Sequence, residues 1–552
     1  MAPTRRGGPK ARPLDAQVAV VGAGPIGMTL AGRLAQHGVS VLLLEQHPQH
    51  TGEGSKALCM QRETLEIWAR LGIGERVAER GVQWNLGRTY FRGRELFQVR
   101  LPGTPGDHFP PFVNINQTEV EAMLLERLAE LPQVDLRWSH RLVGLSQDAD
   151  GVTLRCETPD GERTLRVAYL VGADGAHSSV RRLLGAGFPG HSHPDLFLIC
   201  DVRAHLSFPN ERRFFFDPPE NPGRQVLIHP QPDDTWRIDW QVHPSTDLDA
   251  ERASGALDRR ISALLGAGTP YELAWVTLYR FHQRLVERFR VGRVLLAGDA
   301  AHLLSPFGAR GLNSGAADAE NLAWKLAAIL AGDASDRLLE SYHAERRAAA
   351  LENLAVTDAT MRFMVPRGPL RRAVRNAVLR GSLRSVRLRR LVNSGRLAQP
   401  FTYAASPIVV QEKGDPRLPT VGGVVPDAPC HPVGGPVAGW PGQGASRLRE
   451  LLGERFVALL VLDPRDAAKA AIRASRLSWP APCDVIVIGH DAPLSGVIVL
   501  DDRAGEVRRA YGAAGPAAFL IRPDGHLAAR IGLTRPEAVD ALPGMQARSL
   551  GG

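Results

Sequence analysis

Lysine is nearly missing from this sequence. Lys10, Lys56, Lys325, Lys413 and Lys469 are the whole complement, and every other basic residue is an arginine. Cysteine is as scarce: Cys59, Cys156, Cys200, Cys430 and Cys483 are odd in number, scattered and without a C-x-x-C pair. That excludes a disulfide framework, a structural zinc site and a dithiol centre, and predicts a reducing, cytoplasmic setting. No apolar run approaches the roughly 18 residues of a membrane helix, so no integral membrane association is expected. Met1 to Pro13 is basic and has no apolar stretch of the kind a secretory signal needs. Residues 1–15 therefore read as a disordered basic N-terminus. The net charge of +9 does not signal nucleic acid, because eleven arginines and no acid fall between Arg362 and Arg396 and the remainder is near neutral. Leu370, Val374, Val378, Leu388 and Leu391 recur among those arginines at near-helical spacing, the pattern of amphipathic helices with a solvated basic face.

What is present organises itself around one stretch. Val18-Ala19-Val20-Val21 is apolar throughout, as a strand buried on both faces must be. Gly22, Gly24 and Gly27 follow at once as G-x-G-x-x-G: a tight turn, an approach for a pyrophosphate, and close packing of helix on strand. A second apolar strand, Val41 to Leu44, ends in Glu45, placed to accept a ribose hydroxyl. Strand, turn, helix, strand and acid agree on a dinucleotide. A second G-x-G-x-x-G, from Gly185 to Gly190, follows a helix rather than a strand and reads as a loop.

Two further segments repeat this logic. Tyr169-Leu170-Val171-Gly172 runs into Ala173-Asp174-Gly175, and Val294-Leu295-Leu296 runs into Ala297-Gly298-Asp299. Each is a short buried strand ending in a turn with an acid at its tip. Either acid alone would be an ordinary turn residue; together with the first fingerprint they point to a long ligand gripped at several places. Between them, from Phe197 to Phe281, short aromatic and β-branched runs separated by Pro, Asp and Gly predict an inserted antiparallel sheet. Its strands alternate Phe214 and Phe216, Leu227 and His229, Trp236, Ile238 and Trp240, and Tyr279 and Phe281, which read as core or as pocket lining. The tail alternates strands and helices as a small α/β unit.

In this order the motifs resemble the class A FAD-dependent aromatic monooxygenases of the p-hydroxybenzoate hydroxylase type. Within that group the chain is most similar to the phenol, 3-(3-hydroxyphenyl)propionate and aromatic-polyketide hydroxylases. The resemblance is strong over residues 17–400 and weaker in the tail, which resembles those enzymes' thioredoxin-like domain without a cysteine pair. It implies an α/β fold: a Rossmann-like FAD-binding domain over 16–190 and 283–400, an antiparallel-sheet substrate domain over 191–282, a linker over 400–436 and a thioredoxin-like domain over 437–552. Carried over by residue, Gly22, Gly24 and Gly27 sit at the pyrophosphate, Glu45 at the ribose, and Gly298 and Asp299 at the ribityl chain. Gly311, Leu312 and Asn313 lie beside the isoalloxazine, Gln117 is a flavin contact, and Asp174 bridges FAD and the nicotinamide coenzyme, with His177 and Arg181 helping to recognise the latter. The chain departs from the pattern twice: Lys56 replaces an arginine near the phosphates, and Ala309-Arg310 replaces glycine-glutamine.

The function implied is hydroxylation of a phenolic or polycyclic aromatic substrate, consuming NADH or NADPH and O2, through a flavin hydroperoxide that survives only in a dry apolar pocket. A phenol reacts better once deprotonated, so a base is expected near its hydroxyl; His229, Tyr279 and His282 are the candidates. The alternatives are a related epoxidase, halogenase or oxidase, or an inactive flavin-binding scaffold. The halogenase lacks support because Trp236-Arg237-Ile238-Asp239-Trp240 does not match W-x-W-x-I. No metal site and no nucleic-acid partner are expected, and a homodimer is compatible with the chain.

Overall fold

A strand with an unbroken apolar run such as residues 18–21 needs a strand on each side, and Ala16–Val21 has both. It runs parallel to Gly161–Gly172 on one side and Val41–Leu44 on the other. The sheet continues through Val294–Leu296 and Arg290–Val291 at one edge and Val134–Arg137 at the other. Arg141–Gln147 and Val152–Thr158 extend it as antiparallel strands. Helices Pro25–Gln36 and Gly311–Ala331 pack against each other over it. The structure is a computed structural model describing residues 13–52, 57–101, 108–266, 268–366, 368–392, 399–410, 418–436, 441–489, 492–513, 515–533 and 535–551.

The second sheet is also eight-stranded: His302–Leu303, Glu272–Leu285, Gly190–Arg203, Thr235–Val242, Gln225–Pro230, Arg212–Phe216, Leu86–Phe91 and Arg94–Arg100 in spatial order. The last two strands come from outside the inserted segment; Leu86–Phe91 pairs in parallel with Arg212–Phe216, more than a hundred residues later. Cross-strand register decides which side chains share a face. Phe214 stands opposite Leu227, Leu227 opposite Asp239, His229 opposite Arg237, and Asp239 opposite Ile199. Those residues therefore lie on one face. Trp236, Ile238 and Trp240 lie on the other, where they form a buried core with Leu257, Ile261 and Leu265 of helix Ala256–Leu265.

The third sheet has the order His431–Gly434, Ile498–Asp501, Cys483–Ile488, Phe456–Val461, Ala517–Ile521, Leu527–Gly532, mixed parallel and antiparallel. Residues 400–436, expected as a linker, are packed where described: Tyr403 and Val425 are buried, and His431–Gly434 is the sheet's edge strand. This unit is fastened to the first by buried charge. Arg522 donates to Glu345 at 2.6 Å and 3.0 Å and also pairs with Asp524, while Lys325 reaches Glu345 at 2.7 Å. Arg33 lies 2.8 Å from Glu320 and donates to the Gly453 carbonyl at 2.6 Å. Each such pair is held by opposite charges and hydrogen bonds that offset desolvation; removing one partner typically costs about 3–5 kcal/mol. All five cysteines are free, and no helix among the described residues is long and apolar enough to cross a membrane.

Candidate active site

The three glycine–acid turns leave adjacent parallel strands at the same level. Val21 is in register with Gly172, and Gly172 with Leu296. The turns are also stitched to the strands: Gly22 N–H donates to the Leu44 carbonyl, Ala173 N–H to Val21, and Ala297 N–H to Gly172, at 2.8–2.9 Å. Gly22 takes φ +106°, open only to glycine, and a Cβ there would lie 2.6 Å from the Ala173 carbonyl oxygen. A Cβ at Gly27 would lie 1.9 Å from the Gly22 oxygen, so helix and turn pack at backbone contact. Glu45 reaches back to the first turn, its Oε2 accepting from Ala23 N–H at 2.9 Å.

Asp174 uses one oxygen structurally. Its Oδ2 accepts from the N–H groups of Ser179 at 2.6 Å and Val180 at 3.1 Å, while Oδ1 is buried without a partner among the described residues. Burial pushes this carboxyl above its usual range against those hydrogen bonds. Arg181 is buried, and its guanidinium donates to the carbonyls of Ala300 at 3.0 Å and Ala176 at 2.7 Å, bracing the second turn against the third. His177 is exposed.

Gly298-Asp299 is held from behind by a residue the sequence reading missed. Asp318 Oδ2 accepts from Gly298 N–H at 2.9 Å and lies 2.8 Å from His302 Nε2, and Oδ1 accepts from Arg346 at 2.6 Å. Burial raises the Asp318 carboxyl, but Arg346 and His302 outweigh it and hold it below its usual range. Nothing in the local spacing marked Asp318, which lies seven residues into a long helix. That helix, Gly311–Ala331, begins at the Gly311-Leu312-Asn313 segment, so its first N–H groups and positive dipole end point away from the helix body. The Asn313 side chain is engaged: it accepts from Gln61 N–H at 2.9 Å and Thr64 Oγ1 at 2.7 Å, and donates to the Cys59 carbonyl at 2.9 Å. Gln117 opens helix Gln117–Ala129 and accepts from Ala57 N–H at 3.2 Å. Arg310 donates to Asn353, and Ala309 sits at φ +52°. Lys56 lies outside the described residues.

The second sheet meets this corner through Cys59. Its Sγ lies 3.9 Å from His229 Nδ1. Trp84, stacked on Phe112, places its ring edge-on to His229. Around His229 the sheet face is charged: Arg237 pairs with Asp201 through two hydrogen bonds of 2.8 Å and 2.7 Å, and Gln231 adds a third to Asp201. Asp239 and Arg212 stand beside them. Burial and the Arg212 and Arg237 guanidinium groups hold His229 neutral, well below the usual histidine range. Burial pushes the Cys59 thiol up to about 12, and burial with nearby Asp299 pushes Tyr279 up to about 12. Farther along the same face Phe197, Phe214, Phe281 and Phe307 form an apolar cluster, with Tyr279 packed against it. His282 is on the opposite side of its strand, 2.8 Å from Ser192 Oγ, and is not brought together with His229 and Tyr279.

The residues fit a flavin dinucleotide by the space they leave. A Cβ at Gly24 or at Gly311 would meet no atom within 4 Å, so both backbones border open space, and the unpartnered Asp174 oxygen supplies an acceptor. Residues 15–357 match the family model described as FAD binding domain. The chain belongs to that family. This FAD-binding protein is 31% identical to the 3-(3-hydroxy-phenyl)propionate/3-hydroxycinnamic acid hydroxylase of Mycobacterium sp. (strain JLS), over 98% of its own chain and 93% of the relative. It superposes on aklavinone-11 hydroxylase in a ternary complex with FAD and aklavinone with a TM-score of 0.75, at 25% identity over 98% of this chain and 100% of the other. On p-nitrophenol 4-monooxygenase PnpA from Pseudomonas putida DLL-E4 the TM-score is 0.61, at 29% identity over 69% and 98%. The protein is an FAD-dependent monooxygenase of class A type, with NAD(P)H as electron donor and O2 as oxidant.

Proposed function

We propose that this enzyme hydroxylates a phenolic ring seated between the charged face of the second sheet and the Gly311-Leu312-Asn313 turn. One observation carries the reading: Cys59 joins the two, its carbonyl bound by Asn313 and its sulfur beside His229. Two proteins similar to this chain are named for phenolic substrates, a 3-(3-hydroxy-phenyl)propionate/3-hydroxycinnamic acid hydroxylase and a p-nitrophenol 4-monooxygenase.

Bound FAD supplies the redox chemistry, accepting hydride from NAD(P)H and activating O2. The chain's own residues hold and shield it. Gly22 and Gly27 let turn and helix pack at backbone contact, and Gly24 leaves room for the pyrophosphate at the helix N-terminus, with Glu45 at the ribose. Asp174 Oδ1 and Asp299 accept hydroxyls, Gln117 lies alongside, and the N–H groups of Gly311, Leu312 and Asn313 face the isoalloxazine edge. Exposed His177 is placed to meet the nicotinamide coenzyme, and buried Arg181 acts on it indirectly by fixing the two turns. The Phe197–Phe281–Phe307 cluster excludes water from the reacting end, which protects activated oxygen from unproductive breakdown. His229 and Tyr279 border the ring, both uncharged at neutral pH.

The test is NAD(P)H oxidation by purified yellow protein over a panel containing 3-(3-hydroxyphenyl)propionate, p-nitrophenol and aklavinone. Oxidation stimulated by a phenol, with stoichiometric hydroxylated product, is expected. Uniformly slow oxidation yielding only hydrogen peroxide would overturn the assignment.

A further inference from the structure

The charged face contains two groups that the fold leaves unfinished. Arg212 Nε and Asp239 Oδ1 are buried atoms with no hydrogen-bond partner among the described residues. Every other charge near them is committed: Arg237 is tied to Asp201, and Asp201 to Gln231. A buried donor or acceptor left unmade costs about 1–3 kcal/mol. The two are of opposite type and stand on one face, on strands flanking Gln225–Pro230 and within electrostatic reach of each other, so a ligand on that face meets both a donor and an acceptor. Arg212 begins its strand beside Phe214, Asp239 stands opposite Leu227, and all four project from the same face as His229. Both residues are only partly buried, while Arg212 Nε and Asp239 Oδ1 themselves are covered, and burial is the largest influence on each one's ionisation.

We propose that Asp239 is the catalytic base and Arg212 its electrostatic partner: the substrate's phenolic hydroxyl donates to Asp239 Oδ1 and accepts from Arg212 Nε. This rests on the phenol reading above and adds to it which atom of the substrate is gripped and by what. In the step, the phenol O–H bond breaks, its proton passes to the Asp239 carboxylate, and the electron pair stays on the phenol oxygen beside the guanidinium. The ring is thereby activated for electrophilic attack at the positions ortho and para to that oxygen. Geometry selects these two groups and ionisation agrees. Burial raises the Asp239 carboxyl to about 7, with Arg237 and Arg212 opposing and Asp201 reinforcing the shift, which suits a base working near neutrality. His229 is too weak a base and Tyr279 too weak an acid to serve at that pH. Cys59 keeps its proton. His229 thus positions the ring, with Nδ1 toward Cys59 Sγ.

The experiment compares wild type, D239N, D239E and R212Q as FAD-loaded enzymes, with 3-(3-hydroxyphenyl)propionate and p-nitrophenol as probes. Retained FAD content and thermal melting establish that each variant folds. In wild type, kcat is expected to fall as pH drops through about 7, and the ultraviolet difference spectrum of bound 3-(3-hydroxyphenyl)propionate to show phenolate. In D239N that spectrum should be of the neutral phenol, kcat should fall about 100-fold or more, and the acid limb should vanish; D239E should restore part of each. An unchanged spectrum and pH profile in D239N would overturn the assignment. So would R212Q raising KM for 3-(3-hydroxyphenyl)propionate but not for p-nitrophenol, since the cluster would then hold a carboxylate. If wild type turned over neither phenol, both this inference and the functional reading would fall; if only the variants behaved as wild type, this inference alone would.

Discussion

The two faces of the second sheet are built from the same strands by alternate residues, and they do opposite things. Trp236, Ile238 and Trp240 face helix Ala256–Leu265 in an apolar core in which Ile238 and Trp240 are fully buried. Arg237 and Asp239, interleaved with them, face the flavin corner among Asp201, Arg212 and His229. One face stabilises the sheet by packing on a helix. The other carries charges that burial penalises and keeps two polar atoms unpaired. Strand alternation lets a single segment, Thr235–Val242, supply a stable core and a reactive surface at once.

The comparison can be broken from either side. The largest stability effect is expected at the pair the charged face depends on: Arg237→Ala leaves Asp201 buried without its cation and should cost about 3–5 kcal/mol, read by chemical denaturation. Trp240→Ala, on the apolar face, should cost a similar or slightly smaller amount by opening a cavity, while leaving the KM for phenols unchanged once the variant is refolded. Asp239→Asn should do the reverse, lowering turnover about 100-fold or more and stabilising the fold. Its sign follows from the direction of the shift. A carboxyl whose folded value is raised from 3.8 to about 7 costs nothing below about pH 4; its penalty grows between about pH 4 and 7 and is complete above 7. The variant should therefore melt with wild type at pH 4 and above it at pH 8, by an amount on the order of 1–2 kcal/mol after allowance for solvent screening. The smallest effect is expected far from both faces: Leu370→Ser, at an exposed position on helix Pro369–Gly381, should change stability by less than about 0.5 kcal/mol.

The glycine corners were legible because their signal is local. A buried strand, a turn that demands glycine and a helix N-terminus follow one another within a dozen residues from Val18 to Thr29. The base was not legible for the opposite reason. Choosing between Trp236 and Arg237 as the inward residue needs the register with Gln225–Pro230, which no spacing within either strand encodes. The same holds for Leu86–Phe91, whose partner is Arg212–Phe216, and for Asp318, marked by its bonds to Gly298 N–H, His302 and Arg346. Residues 400–436 looked like a connector because Pro and Gly dominate them, yet Tyr403 receives a 2.7 Å hydrogen bond from Arg346 and is buried. Arg310, which replaces a neutral residue of the family pattern, turns toward Asn353.

The most direct test is a crystal structure of the FAD-loaded enzyme with p-nitrophenol bound. The account predicts one FAD lying across the turns at Gly24, Asp174 and Asp299, and the phenol oxygen within hydrogen-bond distance of both Asp239 Oδ1 and Arg212 Nε. Density for the flavin away from those turns, or for the phenol with its oxygen far from Asp239, would contradict it.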